Sequence, residues 1–241
     1  MPYYYYYGFD WTYLVLVLPC LIISIWASTK VNSTFRRYSN QLSSRRITGA
    51  DAAQRVLRAN NVYGVRVERV SGKLTDHYDP KANVIRLSDG VYDSTSTAAI
   101  GVACHEAGHA VQYAEDYFPI RIRSAIIPVT NFGSKIAMPL ILLGILFSAL
   151  GDFSTVLVYL GIACFSLSLL FQLITLPVEF NASRRALEAI DQAELLTSEE
   201  RRGAKKTLSA AAMTYVAAAA VSLAQLLRLI LLFGNRGRRR N

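Results

Sequence analysis

Residues 136–150 and 156–176 are apolar runs without a single charge, separated only by Gly151-Asp152-Phe153-Ser154-Thr155. Backbone polar groups cannot be satisfied by lipid, so runs of this kind cross a bilayer as helices, each needing about 20 residues. The first run is short for a span and the second is comfortable. Residues 11–27 ahead of them and 215–233 behind are also apolar, the last interrupted by Gln225 and Arg228. The rival reading is a buried helix hairpin in a water-soluble fold. The chain is 52% hydrophobic, however, and holds too little polar sequence to cover four such blocks. The Tyr3–Tyr7 run suits an interfacial aromatic belt. Block 11–27 has no basic residues before it and no convincing cleavage site after it, so it reads as a retained anchor.

The basic residues orient this layout. Residues 1–29 hold no Lys or Arg, 30–135 hold fifteen, 136–183 hold none and 184–206 hold six. The positive-inside rule then places 30–135 and 178–206 in the cytoplasm and the 151–155 turn outside, in the plasma membrane. The expected parts are an anchor over 1–29, a cytoplasmic part over 30–135 and a transmembrane hairpin over 136–177. A cytoplasmic helix over 178–206 and a hydrophobic helix with a basic tail over 207–241 complete the chain. If the last helix crosses, it carries Arg236, Arg238, Arg239 and Arg240 outside, against the rule; otherwise it packs without crossing. The net charge of +9 reads as topology and attraction to an anionic bilayer rather than as nucleic-acid binding, since no basic face is interleaved with aromatics. Cys20, Cys104 and Cys164 lack a CxxC partner and read as small apolar fillers.

The chemistry is concentrated in HEAGH at 105–109, which uses two of the three histidines. On a helix His105 and His109 project from one face and occupy two corners of a tetrahedral zinc site. Glu106 stands at the edge of that face, placed to take a proton from a zinc-bound water and return it to a leaving group. Ser94–Thr97 offer caps, and the rest of 98–111 is largely apolar. Burying two imidazoles and a carboxylate there is costly unless a metal pairs them.

Upstream, the run from Thr48 predicts a capped helix ending near Asn60-Asn61. Strands are predicted over 65–70, 74–78 and 83–87, forming a small antiparallel sheet that leads into the motif helix. Its edge could hold an extended peptide beside the metal. His77 reads as a third ligand, an oxyanion donor or a structural residue. A catalytic zinc needs three protein ligands and one open position. Glu179 in LPVEFNASRRAL (176–187) is the best candidate for the third, a carboxylate just past an apolar run where Pro177 breaks or begins a helix. Ser183 lies on the same face, and Arg184 is placed to orient a ligand or polarise a carbonyl. Glu188, Asp191 and Glu194 read as a solvated face.

HEAGHAVQY at 105–113, VEFNASRRAL at 178–187 and TDHYDPKANVIRLSDGVY at 75–92 resemble the YugP-type neutral zinc metallopeptidases of bacteria over nearly the whole chain. More distantly the pattern is similar to the gluzincin membrane proteases, which follow HExxH and a helical hairpin with a glutamate ligand in an ExxxD-R motif. The resemblance implies one catalytic zinc on His105, His109 and Glu179, with Glu106 as base. It also implies a mainly α integral membrane fold with a small sheet beside the HExxH helix, a gluzincin-like minimal core. The chain departs from the distant pattern at Ser183, where those enzymes carry Asp, so a weaker hydrogen bond to a ligand histidine is expected. The expected activity is a zinc endopeptidase acting on peptides or membrane proteins, with His77, Tyr78, Tyr92 or Arg184 stabilising the oxyanion. Two rivals fit the same residues: a zinc hydrolase of a non-peptide bond, and a zinc-stabilised membrane scaffold without catalysis.

Overall fold

The structure is a computed structural model that describes residues 11–234. The Tyr3–Tyr7 belt and the basic tail at Arg236, Arg238, Arg239 and Arg240 lie outside the described residues. A turn of π-helix over Tyr13–Val17 runs into α1 (Leu18–Ser39), followed by α2 (Gly49–Ala59) and the strands β1 (Arg66–Val70), β2 (His77–Asp79) and β3 (Val84–Ser88). The short α3 (Asp89–Tyr92), the motif helix α4 (Thr97–Ala114) and the long helices α5 (Phe118–Leu146), α6 (Asp152–Gln192) and α7 (Ser198–Phe233) complete it. Among the described residues four helices, Tyr13–Ser39, α5, α6 and α7, are long and apolar enough to cross a membrane. The protein is thus a mainly α membrane protein with a small sheet.

The chain divides into two compact units. In the first, over 11–26, 126–173 and 216–234, α5 and α6 form the hairpin expected from the apolar runs. The turn falls at 147–151, with Gly151 at φ 62, where a glycine carries no Cβ penalty. The two helices approach so closely that a Cβ on Gly144 would lie 2.8 Å from the Ser154 carbonyl oxygen, and one on Gly161 would lie 2.8 Å from that of Ala137. Small residues at such crossings let membrane helices gain dispersion energy that lipid cannot supply. Arg228, the charge inside the fourth apolar block, stacks its guanidinium 5.4 Å from the centre of the Tyr13 ring.

The second unit, over 27–125 and 174–215, carries the sheet and the motif helix. Thr48 caps α2, its side chain accepting from the Asp51 N–H at 3.1 Å. The sheet corrects one expectation: it is mixed, not antiparallel, with strand order β1-β3-β2. β1 and β3 pair parallel, while β2 and β3 pair antiparallel. The physical reason lies in β3, where Val84, Ile85 and Leu87 are fully buried, so this strand belongs in the centre. β1 carries three charged residues among its five and suits an edge. The turn after β2 closes on Asp79, whose Oδ1 accepts from the N–H groups of Lys81 and Ala82, with Asn83 at φ 52.

Two helices also run further than expected. Pro177 neither begins nor breaks a helix; it lies inside α6. The ring removes one backbone hydrogen bond, a loss that packed helices absorb. The apolar block at 215–233 is likewise the second half of α7, not a separate element. Within this second unit, Ser96 caps α4 by accepting from the Ala99 N–H at 3.2 Å. Loop 41–43 fastens its start, with Thr97 N–H donating to the Gln41 carbonyl at 2.9 Å and Ser43 N–H to that of Thr95 at 2.8 Å.

Candidate metal centre

Apolar residues surround α4: Ala99, Ile100, Ala103, Cys104 and Ala107 are fully buried in a core shared with α2, β3 and α6. Cys104 is a buried free thiol, and burial pushes its pKa up, which leaves it inert. On the opposite side of the helix His105 and His109 stand with ring centres 4.7 Å apart and planes 82° apart. Glu179 reaches them from α6. Its Oε2 is 3.2 Å from His105 Nε2, and its Oε1 is 3.7 Å from His109 Nε2. One ligand atom from each of the three residues lies within 4.8 Å of the others.

The close approach of α4 and α6 depends on Gly108. A Cβ there would lie 2.9 Å from the Ala182 carbonyl oxygen, so only glycine permits this spacing.

A chain of hydrogen bonds orients the imidazoles. Gln112, fully buried one turn after His109, donates through Nε2 to the Val178 carbonyl at 2.9 Å and to Asn181 Oδ1 at 2.8 Å. Its Oε1 is left to accept from His109 Nδ1 at 3.0 Å. The proton of a neutral His109 therefore sits on Nδ1, and the Nε2 lone pair turns toward Glu179. A lone pair facing a carboxylate is held only by a proton or a cation between them. Burial alone would keep His109 neutral, but the hydrogen bond and charge of Glu179, with Glu106 behind, outweigh it and raise its pKa. Ser183 Oγ lies 3.1 Å from His105 Nδ1, the same support in a weaker form. Two imidazoles and a carboxylate, each histidine fixed through its far nitrogen, make a donor set suited to zinc with an open fourth position.

Glu179 is only 3% exposed and has a third neighbour, Arg123 Nη1 on α5, 3.3 Å from Oε1. His105, Glu106, Glu179, Ser183 and Tyr215 line a cavity of about 260 Å³, closed on other sides by Val102, Leu74 and Asp76. Burial raises the Asp76 carboxyl above its ordinary value, against hydrogen bonds from the Ser88 N–H at 2.7 Å and hydroxyl at 3.0 Å.

Four residues singled out in the sequence do not line this cavity. His77 is exposed on β2, with Nδ1 2.8 Å from the Thr75 carbonyl. Tyr78 donates to Asn83 Oδ1 at 2.9 Å, Tyr92 packs under Arg69, and Arg184 lies 3.8 Å from Glu188 on an exposed face. Sequence reasoning missed Arg123, Tyr215, Gln112 and Asp76. Gln112 alone had a legible signal, standing three residues past His109 on the same helix face. Arg123 and Tyr215 come from helices whose approach nothing local announces.

The profile of the family described as "Putative neutral zinc metallopeptidase" matches residues 13–234. The chain is 48% identical over 223 residues to the "Putative membrane protease YugP" of Bacillus subtilis (strain 168), covering 92% of this chain and 97% of that protein. No solved structure matches it. A match over nearly the whole length, on a chain whose two imidazoles and buried carboxylate converge, places this protein in the family of neutral zinc metallopeptidases.

Proposed function

We propose that the protein is a membrane-embedded zinc endopeptidase in which His105, His109 and Glu179 hold one catalytic ion and Glu106 is the general base. The observation that carries this reading is the convergence of the three ligand atoms within 4.8 Å, with His105 and Glu179 on the wall of the cavity that Glu106 also lines. Bound there, zinc would acidify a water and polarise the scissile carbonyl. Glu106, 8% exposed, takes the proton from the attacking water and delivers it to the departing amine. Tyr215 lines the same cavity and donates a hydrogen bond to the developing oxyanion, the role for which the sequence offered His77, Tyr78, Tyr92 and Arg184. Arg123 holds the orientation of Glu179.

The cavity admits side chains and not a folded domain, so the substrate enters as an extended or unfolded segment. The distribution of Lys and Arg supports a cytoplasmic site within residues 30–135 and 178–206 of a multi-pass plasma-membrane protein. Peptides and membrane-protein tails are the substrates that placement favours, in keeping with the membrane-protease name of the Bacillus relative.

The test is zinc content and cleavage of an unfolded polypeptide by wild type, Glu106→Gln, Tyr215→Phe and Glu179→Ala. Glu106→Gln and Tyr215→Phe keep zinc and lose kcat, while Glu179→Ala loses both zinc and activity. Cleavage that survives Glu106→Gln removes this mechanism.

A further inference from the structure

A groove of about 640 Å³ adjoins the cavity, and Leu74 stands in the wall of both. One side is the face of α1 bearing Asn32, Arg36 and Ser39, spaced at three and four residues; the other is the loop carrying Lys73 and Leu74, with Gly90. Arg36 and Lys73 form no ion pair among the described residues, and no Asp or Glu lines the groove. The nearby Asp89 is engaged elsewhere, its Oδ2 accepting from the Gly72 N–H at 3.3 Å. Ser39 Oγ is buried in this wall without a hydrogen-bond partner. Such a hydroxyl costs stability, and rotation of its side chain toward the groove would let an incoming carbonyl accept from it. Leu74 is held at φ 55, uncommon for a residue with a side chain, and is 47% exposed.

These features are independent of the metal ligands and describe an occupant. It is extended, since it must pass Leu74 from groove to cavity. It offers a backbone acceptor to Ser39, and it carries negative charge toward Arg36 and Lys73. Building on the peptidase reading, we propose that the groove seats the substrate residues on one side of the scissile bond and selects acidic side chains there. Arg36 and Lys73 are specificity residues and take no part in bond cleavage. Continuity with the cavity favours a peptide over the other anionic occupant, a phospholipid headgroup, which has no need to reach Glu106.

The full zinc-loaded chain carrying Glu106→Gln binds without cleaving, so it reads the groove separately from catalysis. In phosphatidylcholine nanodiscs it is titrated with two fluorescent unfolded peptides of equal length, one bearing a glutamate block and the other glutamines in those places. The acidic peptide binds about tenfold more tightly, from two solvent-screened pairs at about threefold each. That margin shrinks with added salt and disappears in Arg36→Gln/Lys73→Gln. A Cβ on Gly90 meets nothing within 4 Å and Gly90 lines the groove, so the ring of Gly90→Phe occupies it; the substitution weakens both peptides and leaves zinc content unchanged. Equal binding of the two peptides, or a margin that survives Arg36→Gln/Lys73→Gln, overturns the proposal. Loss of acidic-peptide binding on adding phosphatidylglycerol at constant ionic strength, with neutral-peptide binding unchanged, assigns the groove to lipid and also overturns it. Selective acidic binding with no cleavage of either peptide by wild type would sink the peptidase reading and leave the acidic-peptide site standing.

Discussion

Replacing Gly108 with alanine tests whether the spacing of α4 and α6 sets the metal centre. The added Cβ would lie 2.9 Å from the Ala182 oxygen, about 0.5 Å inside the 3.4 Å at which ordinary contact begins. The obstacle is helix backbone and cannot swing aside, so the two helices must separate or shear by a comparable amount. Gly108 adjoins His109, and Ala182 stands three residues from Glu179, so the displacement opens the gap between the imidazoles and the carboxylate. Zinc–ligand distances tolerate about 0.2 Å, less than half of that shift. Zinc affinity is therefore expected to fall about 10- to 100-fold, the range seen when ligand supports are removed. Overpacking adds a stability loss of about 1–3 kcal/mol. Competition with a chromophoric chelator in detergent reads the first quantity, and thermal unfolding of the zinc-free protein reads the second. Gly90→Ala, with open space at its Cβ, leaves both unchanged. A Gly108→Ala protein that binds zinc within about twofold of wild type would refute the argument that helix spacing governs the site.

Gln112→Leu removes the acceptor of His109 Nδ1 and the donor to the Val178 carbonyl, while Asn181 keeps Arg185 at 2.7 Å. The orphaned His109 Nδ1–H costs about 1–3 kcal/mol, the Val178 carbonyl keeping its bond within α6, and zinc affinity falls about 10-fold or more; chelator competition and unfolding check both. Asp76 gives a pH dependence. Its folded pKa is raised above 3.8, so the folded state binds more protons than the unfolded one, and stability declines as pH rises from about 3.8 through the folded value. Asp76→Asn retains an acceptor for the Ser88 N–H and loses that slope. Parallel slopes for the two proteins in unfolding measured from about pH 4 to neutrality would contradict the buried-carboxyl account.

Much of this protein was legible along the chain because the signals are short in range. Apolar runs name their own helices, since each must satisfy its backbone internally wherever it is placed. HEAGH announces its two imidazoles because a spacing of four is a property of one helix. Thr48 and Ser96 mark helix starts for the same reason. The order of the strands was not local. β1 and β2 are neighbours in sequence, yet β3, with Val84, Ile85 and Leu87 fully buried, enters between them because burial on both faces outweighs the convenience of a hairpin. Tyr215, proposed above as the oxyanion donor, was also beyond sequence reach. His77, Tyr78 and Tyr92 lie close to the motif along the chain and away from the cavity in space, whereas Tyr215 lies far along the chain and lines it. Periodicity and caps report on a single element, so the sequence determined which elements form and which of them carry the metal chemistry. Which residues from α5, α6 and α7 surround Glu179 follows from how closely helices pack at Gly108 and at Gly101, where a Cβ would lie 3.2 Å from the Ala204 Cα of α7. That distance is a property of pairs of elements, and only the tertiary structure decided it.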